Sequence, residues 1–572
     1  MTSTVRPLWI ARLAGTHEEM GHQHGTLCAA AGGGAALDHY RDMPERMLVG
    51  GYGAIARAAA GAIKEAALRR LERDRPPALV ARTRAFMRAL GRPIADARYV
   101  AVMDVLQNAV GAAARLGAGP FGANARAGMV RAAQPACSSA MVWGAASEGG
   151  ELRHARNFDF PGNGVWDAGP ALILCAPTGG MRYAFVTTRG ADTPVVTVWN
   201  EAGLVIAPHT RFHRAVGWGG TAIIDLVHQI AARAETLAEA EAIARTLRTS
   251  SSWGLAVSSA RERRACVLEV HADRLEVIAP PAGADSLTCA NRYRHPRMQD
   301  GEATASFAWS AHSDGRERRL RTLIAEARAA GGADAGALCR MLADREDPAA
   351  PGVVRRIGGV VGQPITVHSA VVEPMAQRIV LAVGAAPVVD GPYLAVRYQW
   401  DGPVGAWEVS GAAIDRQAGV NLEAIDVGVT RDAASIALAE VARIEQETHD
   451  APAMAVALER AIAAAPDDPS LRLAALWTYL RTDQWNAAMA HARLGLDTET
   501  IPYRRAQLLR WGARAALAVG DEPVATAWHG ELDALRGDGV DEEQARARRD
   551  RRGGKRYARR RPEVNLLLCD AT

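Results

Sequence analysis

The chain has 572 residues, 49% of them apolar and only 5% aromatic, with a formal net charge of +4. That length exceeds one ordinary hydrophobic core and predicts roughly two to four domains. The excess charge is concentrated at 546–561, RARRDRRGGKRYARRR, which leaves the preceding part near neutral or slightly acidic and argues against nucleic acid as its main partner.

The seven cysteines are Cys28, Cys137, Cys175, Cys266, Cys289, Cys339 and Cys569. An odd count without CxxC pairs excludes a disulfide framework and a zinc site as expectations. The opening MTSTVRPLWIARLAG lacks a basic segment followed by an apolar core, and no stretch approaches the ~20 apolar residues of a membrane span. A cytoplasmic protein with reduced thiols and no membrane partner is expected.

In chain order, Leu8–Leu13 reads as a short strand and is followed by a helix holding Glu19, Gly21 and Gly25. Helical periodicity continues through 53–72 and 81–116. From Cys137 the period changes to two: 137–146, 152–160, 171–177, 182–188 and 195–209 are short strands between Gly, Asn and Pro turns. Helices return at 221–248, strands at 253–259 and 265–279, and helices at 314–330 and 335–344. The segments 365–373 and 378–384 read as the last strand pair. Runs of strands with helices on either side predict stacked sheets covered by helices, not alternating βαβ units.

After 430 the chain turns to Ala, Leu, Arg and Glu with helical periodicity, in units of roughly 33–37 residues that resemble tetratricopeptide repeats. The basic run that follows reads as a solvated, disordered tail. The resulting division is an N-terminal helical segment over 1–136, a core over 137–430, repeats over 431–540 and a tail over 541–572.

The chemistry centres on Gln134-Pro135-Ala136-Cys137-Ser138-Ser139 and, on the next predicted strand, Arg156-Asn157-Phe158-Asp159. A thiol at one strand start, beside an arginine and an aspartate on the next strand, suits a nucleophile released when the chain is cut in front of it. Other readings are weaker. His17, His22 and His24 with Glu18 and Glu19 do not form HExxH, and the glycines among them fit close helix packing. Ser250-Ser251-Ser252-Trp253-Gly254 lacks the GxSxG spacing, and neither a Walker A nor a GxGxxG sequence is present.

Further segments carry a resemblance. They are LAGTHEEMGHQHG at 13–25, Asn200-Glu201-Ala202-Gly203-Leu204, Thr288-Cys289-Ala290-Asn291-Arg292-Tyr293, and Ser313, Arg316, Arg319 and Leu320 on one helix. Together with the Cys137 and Arg156 segments, and in this order, they resemble the peptidase C45 family, the acyl-CoA:isopenicillin N acyltransferase-like cysteine N-terminal-nucleophile (Ntn) hydrolases. The resemblance covers residues 8–400. It implies an α+β fold, a four-layer αββα sandwich followed here by the helical repeat region.

It also implies self-cleavage between Ala136 and Cys137. The freed α-amine of Cys137, with a reference pKa near ~8, would serve as general base to its own thiol. Arg156 would favour the thiolate and Asp159 would hold the amine. Asn200 and Asn291 would supply the oxyanion donors, and Arg316 would orient Asn291 or a substrate carboxylate. Arg292-Tyr293-Arg294-His295 is more basic than the family's His-Phe and points to an anionic substrate. The expected substrates are a linear amide or an acyl-CoA, with no cofactor and no metal. Hydrolysis and acyl transfer both remain open, as does a scaffold that binds a protein partner through its repeats around a silent Ntn domain.

Overall fold

The computed structural model describes residues 5–49, 54–116, 136–304, 306–566 and 570–571. Gln134, Pro135 and Cys569 lie outside them. Strands β1 (Leu8–Gly15), β4 (Pro170–Pro177), β5 (Tyr183–Thr188), β6 (Thr197–Asn200), β7 (Leu204–Thr210), β8 (Trp253–Ser259), β9 (Arg264–His271), β10 (Arg274–Ile278) and β15 (Gly405–Val409) form one sheet. Its order is β10-β9-β8-β7-β6-β5-β4-β1-β15. The second sheet holds β2 (Ala136–Val142), β3 (Arg153–Asp159), β11 (Ser286–Cys289), β12 (Thr366–Glu373), β13 (Arg378–Ala382), β14 (Tyr393–Tyr398), β16 (Ala413–Asp415) and β17 (Val420–Ile425). Its order is β11-β2-β3-β12-β13-β14-β17-β16. Neighbours are antiparallel except β1, which runs parallel to β4 and antiparallel to β15.

Side-chain alternation sorts the core into layers. On β12, Ala370 and Val372 join the inter-sheet core with Leu172 and Phe185. Val371 faces the other way, onto Leu320, Ile324 and Leu338 of the covering helices. Helices α1 (His17–Ala30), α2 (Ala35–Val49), α3 (Ala54–Glu72), α4 (Pro77–Ala89), α5 (Val102–Leu116), α6 (Ile223–Arg233) and α7 (Leu237–Leu247) belong to the first sheet's side. Helices α8 (Phe307–Ala329) and α9 (Ala335–Leu342) cover the second. The chain is thus a mixed α+β arrangement of two large sheets with helices packed on them.

Helix α1 starts with a capping box: the Thr16 side chain accepts from Glu19 N, and the Glu19 carboxylate accepts from Thr16 N at 2.7 Å. Its glycines do pack closely on α4, since a Cβ on Gly21 would lie 2.1 Å from the Arg82 carbonyl oxygen. His24 pairs with Asp192 at 3.2 Å; burial pushes its pKa down, but Cys28 and Asp192 beside it outweigh burial and raise it to about 9.

Two expectations are corrected. Residues 378–384 are not the last strand: β14 to β17 follow, and Arg12 of β1 donates to the carbonyls of Gln399 (2.7 Å) and Ala418 (2.8 Å) among them. Short strands broken by Gly402, Gly405 and Gly411 hide the period of two. The chain after 540 is also not an open tail. Helices α10 (Ala433–Glu447), α11 (Ala451–Ala464), α12 (Pro469–Arg481), α13 (Trp485–Thr498), α14 (Pro502–Val519), α15 (Glu522–Ala534) and α16 (Val540–Ala558) pack in succession, several of them N-capped by aspartates such as Asp432, Asp450 and Asp468. Within α16, Arg546 is buried against Glu542 (2.6 Å), Glu543 (2.7 Å) and Asp570 (3.1 Å), while Asp550 and Glu543 also take Arg510. These acids neutralise Arg546 and Arg510, the buried guanidinium groups where α16 packs on α14.

Candidate active site

Strands β2 and β3 build the centre. Their register sets Ala136 opposite Asp159, Cys137 opposite Phe158 and Ser139 opposite Arg156. Alternation then puts Cys137, Ser139, Arg156 and Phe158 on the face between the sheets, and Ala136, Ser138 and Asp159 on the face toward α8. Cys137 is only 1% exposed.

Three side chains meet Cys137 at three different atoms. Arg156 Nη2 donates to its Sγ at 3.2 Å. Asn291 Oδ1 accepts from its backbone N at 3.0 Å. Arg316 Nη1 donates to its carbonyl oxygen, and also to Ser138 Oγ at 2.9 Å. Arg316 Nη2 in turn donates to Asn291 Oδ1 at 2.8 Å, which locks the amide's orientation. The other end of that amide, Nδ2, donates to Thr210 O at 2.9 Å, and Asn291 N donates to Ser313 Oγ at 2.9 Å. Arg156 is fixed by the carbonyls of Val195, Val196 and Pro208 on the opposite sheet's side. A guanidinium fork suits this task because it can hold several acceptors and still address the sulfur.

Asp159 is fully buried. Its Oδ1 accepts from Thr366 Oγ1 at 2.7 Å, and its Oδ2 has no partner among the described residues. Burial raises its pKa to about 6, with Arg316, Thr366 and Arg156 pulling the other way. Burial dominates and holds the Cys137 thiol above its ordinary value, although Arg156 and Arg316 pull it down.

Asn200 is not brought to this centre. It ends β6 in the other sheet, where Nδ2 donates to Ala231 O (3.0 Å) and Ala234 O (2.8 Å) while Oδ1 accepts from Leu204 N (3.1 Å). Both amide hydrogens go to carbonyls at the end of α6, while the amide oxygen closes the β6–β7 turn, so no donor is left for an oxyanion. The sequence pattern Asn-Glu-Ala-Gly fits this turn equally well.

Sequence reasoning missed a buried relay beside the thiol. Ser139 Oγ lies 2.9 Å from His209 Nε2 and 3.4 Å from His154 Nε2, and His154 Nδ1 lies 2.9 Å from Ser258 Oγ. Burial and Arg156 drive both histidines toward the neutral form, His154 to about 3. Thr366 was missed too. Both contacts join strands far apart in sequence, and neither His209 nor Thr366 stands in a motif of its own.

No protein-family model matches this chain, and no curated protein does. Solved structures do. An ortholog of N-acylethanolamine-hydrolyzing acid amidase from Caenorhabditis elegans is 14% identical, covering 42% of this chain and 93% of its own, with a TM-score of 0.29. Two variants of conjugated bile acid hydrolase from Clostridium perfringens are 10% and 9% identical. They cover 51% and 52% of this chain and 98% and 99% of their own, with TM-scores of 0.30 and 0.31. At these scores the likeness fixes neither the fold nor the chemistry of this chain.

Proposed function

We propose that this protein is a cysteine Ntn amidohydrolase that cuts its own chain before Cys137 and then acts on linear amides through a thioester on that residue. The observation that carries the reading is the convergence on Cys137: Arg156 at its sulfur, Asn291 at its nitrogen and Arg316 at its carbonyl. A buried thiol suits a first reaction within the chain, because the Ala136–Cys137 amide is on the same residue and needs no access from solvent.

In that step Sγ loses its proton and attacks the Ala136 carbonyl carbon. The C–N bond breaks, the Cys137 nitrogen takes the proton and becomes an amine, and Ala136 is left as a thioester. Water then cleaves the thioester and releases the Ala136 carboxylate. The new amine remains within reach of Asn291 Oδ1, and the unpartnered Asp159 Oδ2 can accept its second hydrogen.

In turnover the amine takes the thiol proton, Sγ attacks the substrate carbonyl, and the leaving amine receives that proton. The Asn291 Nδ2 hydrogen not used by Thr210 is the oxyanion donor available on this side chain. Water as acceptor of the acyl group makes a hydrolase. An amine as acceptor makes an N-acyltransferase, with acyl-CoA as an alternative acyl source.

The test is intact mass and N-terminal sequencing of purified protein. Two fragments are expected, one beginning at Cys137, and the Cys137→Ala variant should remain a single chain. Wild-type protein that stays uncut and carries an unreactive Cys137 would falsify the mechanism. Acyl-amide substrates assayed with and without amine acceptors then separate hydrolysis from transfer.

A further inference from the structure

The helices after 430 touch the segments that carry the candidate centre. Helix α8 bears Ser313 and Arg316, yet among the described residues its own N-cap residue, Ser306, makes no side-chain capping bond. The first-turn N–H of Phe307 instead donates at 2.8 Å to Glu542 Oε2 of α16, 235 residues away in sequence. A carboxylate there satisfies an orphan donor and favours the positive end of the helix. The Phe307 ring packs edge-on against Tyr503 of α14 at 4.9 Å and lies directly over Gly539. A Cβ on Gly539 would lie 2.2 Å from that ring.

A second tether reaches α8 beside Arg316 itself. Arg355 is buried in a two-pronged ion pair with Glu499, at 2.7 and 2.6 Å. The loop that Arg355 begins carries Gly359, and a Cβ on Gly315 of α8 would lie 2.8 Å from the Gly359 carbonyl oxygen. A third tether holds the loop leaving Asp159: Gly162 N donates to Gln446 Oε1 at 2.8 Å, and Asn163 Nδ2 donates to Ala439 O at 3.1 Å, both on α10.

We propose that the C-terminal helical region is a positioning element for the candidate centre: Glu542 and the Arg355–Glu499 pair set α8, and with it Arg316, in register on Cys137 and Asn291. The inference rests on Cys137 being the reactive residue. It gives the helical region a role inside the active unit, where the scaffold reading gave it only a partner-binding one. Arg316 donates to a carbonyl, a hydroxyl and an amide, and among the described residues it forms no ion pair. Its position therefore comes from the helix that carries it. A slip of α8 withdraws one positive charge from the thiol and frees the Asn291 amide.

The experiment uses the full-length chain with Glu542→Ala, Glu542→Gln, Glu542→Asp and Glu499→Gln. Two quantities are read: the rate of fragment appearance, and the pH midpoint of iodoacetamide labelling at Cys137, located by peptide mass. Thermal melts select the variants that fold. Glu542→Ala and Glu499→Gln should slow cutting by about tenfold or more and move the labelling midpoint upward, while Glu542→Asp should recover most of both. Removing one member of a buried pair can unfold a protein. Glu542→Gln, isosteric and at a partly exposed position, keeps the question open to refutation in that case. Folded variants that cut and label like wild type overturn the inference and leave the amidohydrolase reading standing. A wild type that is never cut sinks that reading, and the labelling midpoints then decide the positioning role alone.

Discussion

Asp159 carries a stability cost that can be measured separately from catalysis. It is a fully buried carboxylate with one oxygen unpartnered among the described residues, and burial raises its pKa from an ordinary 3.8 to about 6. At ~1.36 kcal/mol per pH unit, that difference is worth about 3 kcal/mol. The folded value lies above the unfolded one, so the fold binds the proton more tightly than the unfolded chain. The cost of the charged form is complete above pH 6. It fades as pH falls through 6 and is gone below about 4. Asp159→Asn has no such proton to bind, and it leaves one unpartnered polar atom just as the aspartate does.

Both members of the comparison carry Cys137→Ala, so that neither is cut. The assay is urea unfolding between about pH 4 and 8, following the transition that includes the two sheets. The stability of the Asp159→Asn variant relative to its parent should rise by about 3 kcal/mol across that range. A difference that stays flat, or falls with rising pH, refutes the assignment of Asp159 as a buried acid under strain from desolvation.

Two other predictions concern its neighbours. Arg156→Lys keeps a charge but loses the fork that joins Sγ to the carbonyls of Val195, Val196 and Pro208. Stranded buried acceptors cost about 1–3 kcal/mol, so self-cleavage should slow by ~10- to 100-fold, read as fragment appearance over time. Asn200→Ala should lower the melting temperature through the unpaired carbonyls of Ala231 and Ala234, at a cost of about 1–3 kcal/mol, and leave the pH midpoint of Cys137 labelling unmoved. A large loss of turnover in a variant that melts like wild type would instead return Asn200 to an oxyanion role.

The legible part of the site is the part encoded by local pattern. Cys137, Arg156 and Asp159 stand on consecutive strands whose period of two is plain, and antiparallel pairing puts Cys137 and Arg156 on one face and Asp159 on the other without further information. Asn291 and Arg316 were found through the resemblance, and the structure joins them to Cys137 and to each other. Asn200 was misread because an amide before Glu-Ala-Gly serves a turn as readily as a reaction. His209, Thr366 and Glu542 were invisible for another reason. Each is placed by an element packed from elsewhere in the chain, and nothing in its own neighbourhood marks the meeting. The same holds for the paired arginines of α16, where Arg546 finds one of its acids 24 residues away.

The position of β1 gives the proposed cut a mechanical consequence. This strand comes from the N-terminal side of Cys137, yet it lies inside the first sheet, parallel to β4 on one edge and antiparallel to β15 on the other. Its Arg12 reaches across to the carbonyls of Gln399 and Ala418. Cleavage before Cys137 would therefore release nothing. It would turn one chain into two interlocked subunits whose shared sheet was woven while they were still covalently joined, so that separate expression of the fragments would have to rebuild an interior strand from solution.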